Sequence, residues 1–126
     1  MVLLTFRKHW KDKLISREKM QTIRTNVDYW MNYYKKGAML HIYCPNPRFH
    51  VIGEESRFIG ETRDWIAIPI KARDISDEIA QRDGFKNRYE LMCYLEKYGL
   101  YWTLDMDLVI IRWFNLHSPR GILELE

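Results

Sequence analysis

Lys19, Thr22 and Arg24 set an amine, a hydroxyl and a guanidinium close together in one short stretch. A helical pattern runs into Glu18 and an extended one runs out through Ile23. In an extended segment Thr22 and Arg24, two apart, share a face. Lys19 reaches that face only if the chain turns between them, as a helix end requires. A cation beside a hydroxyl suits a phosphate or a carbonyl. A lysine that gives up its proton also activates a hydroxyl as a nucleophile. The same residues equally describe a solvated helix end with positive charge near its C-terminal dipole. Both readings stand at this point.

The surroundings of these residues are basic. From Arg7 to Arg24 there are seven cations, Arg7, Lys8, Lys11, Lys13, Arg17, Lys19 and Arg24, against two anions, Asp12 and Glu18. That excess suits an anionic partner, RNA first, or a solubilising helix face. The chain has 126 residues, the length of one domain spanning 1–126, and 47% hydrophobic content with 14% aromatics builds a core. The longest apolar run, Leu108 to Ile111, is broken by Arg112 and is too short to cross a membrane. Met1 to Arg7 lacks the apolar length of a secretory signal. Cys44 and Cys93 lie far apart, as free thiols of a reducing cytoplasm do. His9, His41, His50 and His117 are scattered without metal-ligand spacing, and no cofactor is expected.

The elements that must position the stretch follow from periodicity. Leu4 and Phe6 alternate with Thr5 in a first strand. Lys8 to Glu18 reads as a helix burying Trp10, Leu14 and Ile15. Gln21 to Thr25 is extended. Asn26 caps a helix from Val27 to Lys36 that ends at Gly37. In that helix Trp30 is either core or a base-stacking surface. Leu40 to Cys44 is a strand stopped by Pro45 and Pro47, and no strand is assigned between 45 and 64. Trp65 to Arg73 is a strand with Ile66, Ile68 and Ile70 on one face, and Pro69 marks an edge or a bulge. Ser76 caps a short helix, Asp77 to Arg82, and Asp83-Gly84 turns the chain. Asn87 with Glu90 opens a helix to Tyr98 that Gly99 stops, with Leu91, Leu95 and Tyr98 inward. Leu108 to Phe114 is a strand buried on both faces, and Ile122-Leu123 adds an edge strand. Strands and helices without strict alternation mean α+β, and a small mixed β-barrel with flanking helices is the compact solution.

Glu18-Lys19-Met20-Gln21-Thr22-Ile23-Arg24 resembles the signature of ASCH domains, a Gly-x-Lys-x-x-Thr-x-Arg pattern after the first helix. Ala80 to Phe85, the capped helix, Tyr98-Gly99 and the strand at Val109-Ile110-Ile111 are similar to the second half of that family. The similarity runs from Leu4 to Phe114. Arg17 replaces the usual glycine two residues before Lys19. The resemblance implies a PUA-like β-barrel with a basic cleft and an RNA-linked role. Small members of the family hydrolyse N4-acetylcytidine with a lysine, a threonine and a glutamate. Lys19 and Thr22 match the first two. The acid falls at or next to Asp83, one methylene shorter. Asp83 is otherwise a turn residue paired with Arg82 or Arg24.

Three functions follow. The chain binds RNA, a nucleoside or a nucleotide, with Lys19, Arg24 and Arg17 on the ligand and Trp30 or Phe85 stacked on a base. Or it is an amidohydrolase on an acylated pyrimidine nucleoside, with Lys19 as base, Thr22 as nucleophile and Asp83 orienting or sharing the proton. Or the domain is structural and its cleft empty.

Overall fold

In a computed structural model, which describes residues 1–44 and 57–117, the strand-forming runs gather into two sheets. The elements are β1 (Val2–Thr5), α1 (Lys11–Ile15), β2 (Gln21–Arg24), α2 (Val27–Lys35), β3 (Leu40–Cys44), β4 (Arg57–Thr62), β5 (Trp65–Lys71), α3 (Asp77–Arg82), α4 (Arg88–Lys97) and β6 (Asp107–Trp113). The expected strand at Ile122-Leu123 and the stop at Pro45 and Pro47 lie outside the described residues.

One sheet has the order β1-β3-β4, with β1 parallel to β3 and β4 antiparallel to it. The other, β2-β6-β5, is antiparallel throughout. In β6, Leu108 to Ile111 are all buried, as a central strand covered on both faces must be. Val2 and Leu4 of β1 and Leu40, Ile42 and Cys44 of β3 point into the same core. Phe6, just beyond β1, meets Trp113 of β6 edge to face at 5.8 Å and joins the two sheets. An isolated antiparallel bridge, Glu61 to His117, ties β4 to the chain after β6. Among the described residues the strands do not close into a barrel. Among the described residues the outer edges of β1 and β2 carry no partner strand, and the Arg24 side chain spans them by donating to the Thr5 carbonyl.

Pro69 lies on β5, an edge strand, where its missing N–H faces no ladder. The alternation expected in β5 is present, and its two faces differ in exposure. Trp65 and Ala67 are buried, and Ile68 is 38% exposed. The Trp65 indole donates to the Ala38 carbonyl at 2.7 Å, a partly buried bond that ties the Trp65–Ala67 face to the core side. The strand also ends at Lys71, where a 3-10 turn over Ala72–Asp74 begins.

The first helical stretch is shorter than its periodicity predicts. Lys8–Trp10 form a 3-10 turn, and the α-helical part ends at Ile15. Arg17 adopts a φ of 70° and terminates it. The other three helices end at glycines in the same left-handed region, Gly37, Gly84 and Gly99. Each of these closes a Schellman motif. At α3, Gly84 N donates to Gln81 O and Phe85 N to Ala80 O. At the start of α2, Asn26 has φ 57° and its side chain caps nothing, contrary to the expected cap. Asparagine tolerates this left-handed geometry. Ser76 and Asn87 do cap their helices, accepting from Ile79 N and Glu90 N.

Candidate functional site

The backbone turn at Arg17 redirects the chain so that Lys19 enters the interior, where it is 2% exposed. It is therefore not a solvated helix end. Its ammonium lies 4.2 Å from the centroid of Trp10 and 5.8 Å from that of Phe6, a cation over two aromatic faces. It donates to the Asp83 carbonyl at 2.5 Å and stands 3.4 Å from Asp83 Oδ1. Burial lowers the Lys19 pKa to about 8, against the attraction of Asp83.

Asp83 is the C-terminal cap residue of α3, so the Schellman turn at Gly84 aims it. Its carboxylate pairs with Lys19, not with Arg82. Burial pushes the Asp83 carboxyl up, while Lys19 and then Arg24 pull it down. Asp83 Oδ1 is buried and has the Lys19 ammonium at 3.4 Å without a well-formed hydrogen bond, so it keeps acceptor capacity beside the lysine. The shorter aspartate thus reaches the lysine through its carbonyl as well as its carboxylate.

Thr22 and Arg24 share one face of β2, as strand geometry requires. Arg24 Nε donates to Thr22 Oγ1 at 3.2 Å, and Nη2 donates to Thr5 O at 2.6 Å. Its guanidinium carbon lies 4.9 Å from the Phe6 centroid. Burial lowers the Arg24 pKa to about 10, which leaves it charged at neutral pH. No hydrogen bond joins Lys19 to Thr22 among the described residues. Between Thr22 and its neighbours, Gln21 fixes the strand to α3: its Nε2 donates to Ile79 O at 2.9 Å, and its Oε1 accepts from Arg112. That hook holds the Asp83 end of α3 against β2.

Lys19, Thr22, Arg24 and Asp83 line one cavity of about 190 Å³. Phe6, Trp10, Phe85 and Tyr94 wall it. Phe85 and Tyr94 stand 5.1 Å apart, and Phe85 meets Trp10 edge to face at 5.6 Å. Ligand sites for drug-sized molecules run to about 300–1,000 Å³, so this space suits a single heterocycle. Donors from Lys19 and Arg24, an open acceptor on Asp83 and aromatic walls match the edge and faces of such a ring.

The remaining candidates divide. Phe85 is buried and forms part of the wall. Arg17 does not line the cavity: its guanidinium donates to the Leu14, Ile15 and Leu116 carbonyls and closes the end of α1. Trp30 is buried against Tyr29 and lines a separate groove of about 1,100 Å³ beside Met1 and Pro69. The cavity also takes residues that residue order does not mark as functional, Trp10, Tyr94 and Arg7 among them. Trp10 reads as core, which it is, but its ring face also carries the Lys19 ammonium. Tyr94 lies three residues after Leu91, on the same helical face, so periodicity alone would have found it. Arg7 is one of many cations in the sequence, and only its exposed place on the lining of the cavity distinguishes it.

Among the described residues no group of three or more His, Cys, Asp or Glu side chains is placed to hold a metal, and no helix is long and apolar enough to cross a membrane. Comparison of the chain with family models, with curated proteins and with solved structures returns no match.

Proposed function

We propose that the chain is an ASCH-type domain of PUA-like descent that binds RNA or a nucleotide by taking one nucleobase into the Lys19–Asp83 cavity. The observation that carries this is the convergence of Lys19, Thr22, Arg24 and Asp83 on a space of about 190 Å³ between aromatic walls. A planar base stacks on such walls, while Lys19 and Arg24 donate to its carbonyl and Asp83 accepts from its amine. The barrel kinship draws support from the approach of β1 to β2 across Arg24 and from the Glu61–His117 bridge. Titration with cytidine and with a short single-stranded RNA tests the reading. Binding that Arg24→Ala weakens while the fold persists supports it. No binding of either ligand at low salt removes it.

A second reading, deacylation of N4-acetylcytidine, is favoured by one observation. The Lys19 pKa of about 8 leaves a fraction of free amine at neutral pH, on the same cavity wall as Thr22. The neutral amine takes the Thr22 proton, the Thr22 oxygen attacks the acetyl carbon, and cytidine leaves with a proton. Water then releases acetate from Thr22. The Thr22 oxygen accepts from Arg24, and in the substrate complex its O–H must turn to donate to Lys19. Incubation with N4-acetylcytidine, followed for cytidine and acetate, tests this. Turnover that Thr22→Ala and Lys19→Ala each abolish supports it. No turnover by the wild type or by Asp83→Glu sinks it.

A further inference from the structure

Arg7 sits where the cavity meets a second, open depression. It lines the cavity with Lys19 and Thr22, and it also lines a groove of about 670 Å³ with Lys8, His9, Lys11, Asp12 and Tyr98. Two features hold it there. Its carbonyl accepts from the Cys44 thiol at 3.3 Å, which ties its backbone to β3. Its guanidinium lies 3.8 Å from the centroid of the Tyr98 ring. No carboxylate pairs with it among the described residues. A planar guanidinium resting on an aromatic face loses little further freedom when it binds, and its donors match two phosphate oxygens at once. The field around it is positive: burial and then Arg7, Lys97 and Lys19 lower the pKa of neighbouring His9. Asp12 is the one acid among the residues that line the groove, against three cations, Arg7, Lys8 and Lys11.

We propose that this groove is a phosphate subsite, with Arg7 as its principal ligand, and that the cavity therefore selects a phosphorylated nucleoside over a free one. The proposal rests on the base-binding reading above. A base in the cavity leaves its sugar at the rim, and the groove beyond Arg7 is the adjoining space with the matching charge. The cavity itself is too small to take a whole nucleotide, so sugar and phosphate must lie outside it. The phosphate is that of a free nucleotide or of one residue in an RNA strand.

Calorimetric titration with cytidine, cytidine 5′-monophosphate and a short single-stranded oligoribonucleotide separates these cases. We expect the monophosphate to bind at least about tenfold tighter than cytidine at low salt, with the advantage shrinking as salt rises. Arg7→Gln removes that preference, so that the two bind alike, with melting curves showing the fold intact. Tyr98→Leu, which takes away the surface under the guanidinium, reduces the preference in part. An oligoribonucleotide that binds tighter than the monophosphate identifies the strand as the source of the phosphate, and equal affinity identifies the free nucleotide. Cytidine and its monophosphate binding equally to the wild type overturns the phosphate subsite while leaving the base cavity standing. A preference that survives Arg7→Gln overturns the role of Arg7. Failure of all three ligands removes the base cavity and the subsite together.

Discussion

At the scale of single residues, Lys19 can serve as an ammonium that donates to a base or as an amine that removes a proton, and pH separates the two uses. With its pKa at about 8, the charged form is lost as pH rises through that value. Base binding through Lys19 is therefore full below pH 8 and weakens above it. Hydrolysis through the free amine has the opposite sign: its kcat/KM rises toward a plateau above pH 8. Affinity and rate measured from pH 6 to 9.5 distinguish the two by slope alone. The pair with Asp83 also has a stability signature. Lys19→Met leaves a buried carboxylate without its partner, a change that costs about 3–5 kcal/mol. Adding Asp83→Asn removes the orphaned charge, so the double variant is more stable than Lys19→Met alone in urea unfolding. A double variant that is no better would mean that the two side chains do not share an ion pair.

At the scale of elements, the site depends on how helices stop. Gly84 has a φ of 101°, and a Cβ built there lies 2.9 Å from Trp10 Cζ3. Gly84→Ala thus meets both backbone strain and the ring that carries the Lys19 ammonium. A loss of more than about 1 kcal/mol in thermal unfolding, with weakened ligand binding, is the expected result. Arg17 holds the same left-handed position at the end of α1, with φ 70°. A non-glycine residue there costs about 1–3 kcal/mol. The three carbonyls that its guanidinium serves offset that strain. Arg17→Gly exchanges one for the other and shifts stability by no more than about 1 kcal/mol. Arg17→Val keeps the strain, loses the bonds and destabilises clearly. Equal melting temperatures for the two variants would show that the turn does not depend on the left-handed residue.

At the scale of the whole molecule, the two sheets share one core. Trp113 is fully buried and meets Phe6 across the junction. Trp113→Ala costs about 3–5 kcal/mol, and both sheets should melt in one transition whether followed by circular dichroism or by fluorescence. Folding also redistributes the basic segment. Lys19 turns inward, Arg24 is half-buried against Thr5, and Arg17 closes a helix. Arg7, Lys8 and Lys13 remain exposed, with Lys11 half-buried. About four contacts at ~0.7 each limit the slope of log affinity against log salt for single-stranded RNA to about −3. A slope near −5 would require the inward cations to contact phosphate as well.

Local chemistry was readable from residue order. Caps at Ser76 and Asn87 and stops at Gly37, Gly84 and Gly99 join groups only a few residues apart, so type and spacing sufficed. The run Leu108 to Ile111 announced a doubly covered strand, and the period of β2 put Thr22 and Arg24 on one face. Tertiary structure alone decided the rest. Lys19 meets Asp83 across 64 residues, and a helix end looks the same in sequence whether its lysine is solvated or enclosed. That Trp65 and Ala67, and not Ile68, take the inner face of β5 goes with the bond from the Trp65 indole to Ala38, a contact that periodicity cannot weigh. Arg17 falls among the expected ligand-binding cations because its charge is visible in sequence, whereas its left-handed φ, and so its direction, is not. Charge and period are properties of single residues and short windows. Enclosure depends on which distant surfaces exclude water together, and that is settled only when the chain packs.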